Sequence, residues 1–155
     1  MNSIILDTNV FLLFIMGLLN PEKISSHKRT SIFTVNHFTY LEAVIRNYKN
    51  ILICPNIITE IDNLLQNSFT GDDKFRYLII TKEIFTKSIE KYYESKIVIT
   101  DWEYERLGIT DAVILRMAKE ADLLVSGDST LCDYAKSLGI TILDFKKYVN
   151  DTLFK

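Results

Sequence analysis

Four acidic residues stand where chemistry would start: Asp7, Glu60, Asp111 and Asp128. Asp7 closes the apolar run Ser3-Ile4-Ile5-Leu6 and is followed by Thr8-Asn9. Asp128 follows a second such run, Leu123-Leu124-Val125, after Ser126 and Gly127. Asp111 opens an apolar helical stretch, and Glu60 sits inside another. Carboxylates brought together repel, by roughly 4 kcal/mol per pair at about 4 Å and an effective dielectric near 20. Cations must offset that cost. Hard oxygen donors that leave waters in place select Mg²⁺ or Mn²⁺ rather than zinc, and such ions are suited to activating water against a phosphodiester. The two histidines, His27 and His37, and the isolated Cys54 and Cys132 form no zinc-ligand spacing.

For these acids to meet, the elements carrying them must converge. Apolar periodicity predicts strands over 3–7, 51–54, 96–100, 123–126 and 140–143. It predicts helices over 10–19, from an Asn36 cap through Phe38, Leu41, Val44, Ile45 and Tyr48, from Pro55 to Leu65, from Gly71 to about Ser95, and over 110–121, 129–138 and 145–153. Residues 20–36 read as a loop, Asp72 and Asp73 as a helix cap, and Gly139 as a helix stop. Near-continuously apolar strands alternating with helices give an α/β fold, a three-layer α/β/α arrangement with a central parallel sheet of about five strands. Residues 1–155 read as a single domain. In such folds chemistry gathers at the carboxyl ends of the strands. By helical angle Asp111 falls within the apolar arc of Val113, Ile114, Leu115, Met117, Ala118 and Ala121. Glu60 and Asp62 lie on opposite margins of their helix's arc, and periodicity does not choose between them.

Composition narrows the function classes. The chain is 48% hydrophobic and 25% charged, enough apolar residues for a core and too few charges for a disordered tail. The run 4–19 is interrupted by Asp7-Thr8-Asn9 and has no basic start, so neither a signal peptide nor a membrane span is expected. Unpaired cysteines suit a reducing, cytoplasmic setting. The net charge of −2 does not advertise a nucleic-acid partner, although charge can be segregated on one face. Lys28, Arg29, Lys74, Arg76, Lys82, Lys87 and Lys91 are available for such a face, but Glu83 and Glu90 among them favour a salt-bridged helix surface. No glycine-rich loop supports a P-loop or dinucleotide site.

The segments Leu6-Asp7-Thr8-Asn9-Val10, Pro55-Asn56-Ile57-Ile58-Thr59-Glu60-Ile61-Asp62, Thr110-Asp111-Ala112-Val113-Ile114-Leu115 and Leu124-Val125-Ser126-Gly127-Asp128, in that order, resemble a PIN domain. The resemblance runs from Asp7 to about Leu143. It implies a metal-dependent endoribonuclease in which Asp7, Glu60, Asp111 and Asp128 hold Mg²⁺ or Mn²⁺, with Asn9 and Ser126 as supporting polar residues. It implies single-stranded or looped RNA as substrate, and an antitoxin protein and a homodimer as partners if the chain is a toxin of a toxin–antitoxin pair. Gly127 stands where relatives often carry a further acid or amide, and 19–50 is longer than in compact toxin-type members. A catalytically silent RNA-binding or protein-interaction module is the alternative. Asp62, Glu42 and Asp101 are alternative ligands. Asp101, Glu103 and Glu105 otherwise read as a solvated loop. Trp102 and Tyr104, expected to border the site, could stack on unpaired bases.

Overall fold

A computed structural model describes residues 2–153. The strand β1 (Ser3–Leu6) runs directly into helix α1 (Thr8–Leu19). A 3₁₀ turn at Pro21–Lys23 and further turns lead to α2 (Val35–Ile45), then β2 (Asn50–Ile53), α3 (Pro55–Leu65), α4 (Gly71–Lys87) and the two-residue strand β3 (Ile89–Glu90). Three helices follow without an intervening strand: α5 (Ser95–Val98), α6 (Trp102–Leu107) and α7 (Ile109–Ala118). The chain ends with β4 (Leu123–Ser126), α8 (Ser129–Ser137), β5 (Ile142–Asp144) and α9 (Phe145–Leu153). The fold class is the expected one, a three-layer α/β/α arrangement about a parallel sheet. Among the described residues the sheet has five strands in the order β3-β2-β1-β4-β5, and every pairing is parallel. None of the described helices is long and apolar enough to cross a membrane.

The centre of this sheet is buried on both faces, as an all-parallel sheet requires. All four residues of β1 and all four of β4 are buried. Helix α1 is submerged as well. Only Asn9 and Leu18 along it reach solvent, because it packs against α2, α3, α4 and the end of β4. Each large apolar side chain it hides contributes roughly 1.5–3 kcal/mol. One contact sets the approach of α2: an ideal Cβ at Gly17 would stand 2.1 Å from the Phe38 ring, so only glycine lets the two helices meet there.

Several boundaries differ from the sequence reading, among them the last strand, which is Ile142–Asp144 rather than 140–143. The run 96–100 is not a strand. It forms α5 and a turn, with Val98 buried and Ile97 and Ile99 exposed. The sheet edge is taken by Ile89 and Glu90, which follow α4 directly and pair with Leu52 and Ile53. Helix α4 therefore stops at Lys87 rather than near Ser95. β-Branched residues favour strands only where a partner edge is free, and a two-residue strand carries no readable alternation. Helix α2 is capped by Thr34, not Asn36. The Thr34 hydroxyl accepts from His37 N at 3.4 Å while Thr34 N donates to His37 Nδ1 at 3.0 Å. Asp72 and Asp73 occupy the first turn of α4 after Thr70 rather than the cap, a place the helix dipole favours for acids. Gly139 ends α8 with φ of 73°, as expected.

Helix α9 is fixed to the rest of the molecule by aromatic packing. Tyr40 stacks on Tyr148 with centroids 3.9 Å apart, Phe33 meets Phe145 at 5.7 Å, and His37 Nε2 lies 2.9 Å from the Thr152 hydroxyl. Since His37 Nδ1 accepts from a backbone N–H, Nε2 carries the ring proton and donates.

Replacing Gly17 by Ala should destabilise the protein by about 1–3 kcal/mol through overpacking, although alanine is the better helix former by about 1 kcal/mol. Urea denaturation measures this, and a Gly17→Ala protein as stable as the parent would show that Phe38 swings aside freely.

Candidate active site

The strand order reverses between β1 and β4, and the carboxyl ends of those two strands bound a crevice where parallel α/β folds place their ligands. Asp7 caps α1 at the end of β1. Its backbone N–H donates to Val125 O at 2.9 Å, which ties the strand end to β4. Its Oδ1 accepts from Thr8 N at 2.7 Å and its Oδ2 from the Ser126 hydroxyl, also at 2.7 Å. The same hydroxyl accepts from Asp128 N at 3.0 Å. Ser126 thus joins the two strand-end acids through one oxygen. Asp128 caps α8, with Oδ1 accepting from Leu131 N at 3.1 Å. Glu60 approaches from α3, and the Thr8 hydroxyl donates to its Oε2 at 2.5 Å. Asp111, in the first turn of α7, accepts no hydrogen bond from the described residues.

All four acids line one polar pocket of about 440 Å³, together with Thr8, Asn9, Asn63 and Leu64. Asp111 reaches it although α7 follows α6 rather than a third strand, through the turn at Gly108 (φ 85°). The electrostatics follow from the crowding. Burial pushes the Asp7 carboxyl above its usual range, against the pull of the Ser126 and Thr8 hydrogen bonds, and the nearby Asp128 and Glu60 add to the rise. Asp111 is pushed up to about 7, first by burial and then by Asp7, Asp128 and Glu60. A carboxyl without hydrogen-bond support among three like charges is held near neutrality for the reasons that raise any crowded carboxylate.

Not every expected residue arrives. Asp62 lines a different cavity on the far margin of α3. Glu42 pairs with Arg46 along α2 at 3.0 Å. Asp101 is held by Arg116 through two bonds of 2.6 and 2.8 Å, which keep its carboxyl below the usual range. Glu103 is buried rather than solvated. Trp102 packs against Tyr134 at 5.2 Å, and neither it nor Tyr104 lines the acidic pocket. Of the basic residues, Lys87 pairs with Glu83, Lys91 with Glu120, and Arg76 donates to Leu19 O. Both cysteines are buried and free, as expected of small apolar residues. Thr8, Asn63 and Leu64 were assigned no role from the sequence. Asn63 was recoverable: it stands one helical turn after Glu60 and so on the same side of α3.

The pocket's donors are all oxygens or amides, a set that suits Mg²⁺ or Mn²⁺. Among the described residues no three His, Cys, Asp or Glu side chains are already drawn around one ion position. Each ionised carboxylate has about four acceptor sites, so the bonds to Thr8, Ser126 and Leu131 leave lone pairs free on Asp7, Glu60 and Asp128. The chain matches no known family model, and no curated protein matches it.

Because the folded state raises the Asp111 pKa, it binds more protons than the unfolded chain between pH 3.8 and about 7. Stability therefore falls as pH rises through that window. Without added metal, Asp111→Asn should stabilise the protein at pH 7.5 by about 1–2 kcal/mol, allowing for solvent screening of this partly open carboxyl. The gain should shrink as pH is lowered toward 4. Denaturation curves at several pH values test this, and a gain independent of pH would assign it to something other than charge.

Proposed function

We propose that the chain is a divalent-metal-dependent endoribonuclease of the PIN type, hydrolysing phosphodiester bonds in single-stranded or looped RNA. The observation that carries this reading is the meeting of Asp7, Glu60, Asp111 and Asp128, from four separate elements, in one pocket at the point where the strand order reverses. Nothing in α/β packing alone calls for four carboxyl groups to share 440 Å³, and the repulsion among their ionised forms is a cost that a bound cation offsets.

These four carboxylates would hold Mg²⁺ or Mn²⁺. When bound, such an ion supplies a water of lowered pKa and neutralises charge on the phosphate. The protein's own residues do the positioning. Ser126 and Thr8 N fix both oxygens of Asp7, and the Thr8 hydroxyl holds Glu60 against α1. Asp128 is fixed by the first turn of α8. Asp111, whose carboxyl is pushed up to about 7 by burial and its acidic neighbours, would give up its proton on binding a cation. Asn9 stands exposed at the rim, free to hydrogen-bond a phosphate oxygen or a water. RNA as the substrate rests on the resemblance of the four segments, and an antitoxin-like partner and a second copy of the chain belong to this reading only if the chain is the toxin of a toxin–antitoxin pair.

Asp7→Asn should lower cleavage of a fluorogenic single-stranded RNA by more than the ~10–100-fold typical of losses outside the ligand set, with an unchanged circular dichroism spectrum. A variant that cleaves as fast as the parent would end the proposal. Mn²⁺ or Mg²⁺ should raise the melting temperature by binding only the folded state. The rise should disappear in an Asp7→Asn/Asp128→Asn protein, and its persistence there would place the ion elsewhere.

A further inference from the structure

Beside the acidic pocket lies a second cavity of about 400 Å³. Asn9 lines both. Gly127, between the Ser126 and Asp128 of the acidic site, forms part of its wall, and α9 contributes Lys146 and Asn150. The two cavities share an edge but differ in chemistry. The first is lined by carboxylates, whereas the described lining of the second contains none and has one cation.

We propose that this second cavity is the subsite for the nucleotide adjoining the bond to be cleaved, with its base between Ile32 and the α9 side chains and its phosphate on Lys146. The placement beside a scissile bond rests on the nuclease reading. Five observations carry it. Ile32 and Leu153, 67% and 62% exposed, line the same cavity and offer apolar surface that a flat base can cover. Lys146 is exposed and has no carboxylate within ion-pair distance among the described residues, so its charge is available to a phosphate. Asn9 and Asn150, whose carboxamides form no hydrogen bonds among the described residues, each offer a donor and an acceptor, the combination that reads a base edge. A Cβ at Gly127 would meet nothing within 4 Å, so the strand end is bare where the cavity needs the space. The volume lies at the lower end of small-ligand pockets and suits one nucleotide rather than a peptide segment.

Binding, not cleavage, is the test. A fluorescein-labelled single-stranded RNA 12-mer of mixed sequence is titrated by anisotropy into the full chain carrying Asp7→Asn. Adding Lys146→Glu or Gly127→Leu should each weaken binding at least tenfold. Lys146→Ala should lower the slope of log affinity against log salt by about 0.7, the share of one phosphate contact on a single strand. Asn150→Leu should change the relative affinities for rA, rC and rU 12-mers. Lys87→Ala, at a lysine already paired with Glu83, should bind as the parent does. Lys146 and Asn150 are exposed on α9, so these variants keep the fold, and thermal melts verify it for all of them. Parent-level binding by both Lys146→Glu and Gly127→Leu overturns the inference, as does failure of the Asp7→Asn chain to bind RNA at all. A protein whose RNA affinity depends on these residues but which never cleaves keeps the subsite and loses the nuclease. One that cleaves with affinity indifferent to them does the reverse.

Discussion

The hydroxyl of Ser126 is the small fixed point around which the acidic pocket is arranged. It donates to Asp7 and accepts from the backbone of Asp128, so the ends of β1 and β4 are held in one relation. That relation exists because the two strands pair in parallel at the centre of the sheet, with Leu6 opposite Val125. Serine suits the position because a single hydroxyl can donate and accept at once. Without it, Oδ2 of the buried Asp7 carboxylate would lack compensation for lost hydration, Thr8 N serving Oδ1 alone. The bond lowers the Asp7 pKa while burial and neighbouring acids raise it, and burial prevails.

Much of the pocket was legible in the sequence because strand ends are where a parallel fold puts its polar residues. Asp7 and Asp128 follow apolar runs that pair as β1 and β4, and Asp111 lies on the buried side of its helix, as its angular position indicated. Glu60 was not separable from Asp62 by pattern, since both sit on the edges of the same apolar arc. The choice is made by tertiary packing, through the contact of α3 with α1 that brings Thr8 within 2.5 Å of Glu60. Thr8 is a residue whose role no periodicity announces, for it supports a side chain 52 positions away.

The misread region is equally instructive. Ile97, Val98 and Ile99 have the composition of a strand, yet the edge they would have joined is closed by Ile89 and Glu90. Local preference loses to the availability of a partner. The length of the segment between α1 and α2 was also uninformative by itself. Its Phe33 and the helix cap at Thr34–His37 prove to be the seat for α9, through Phe145, Tyr148 and Thr152. Contacts between residues more than a hundred positions apart leave no local signature.

The shortness of the outer strands has a consequence for self-association. β3 contributes two residues to one margin of the sheet and β5 three to the other, and each ends on an acid, Glu90 or Asp144. A foreign backbone would find few unpaired amides to zip onto, and would meet a negative charge as it tried. Edge-to-edge growth into ribbons is thereby discouraged.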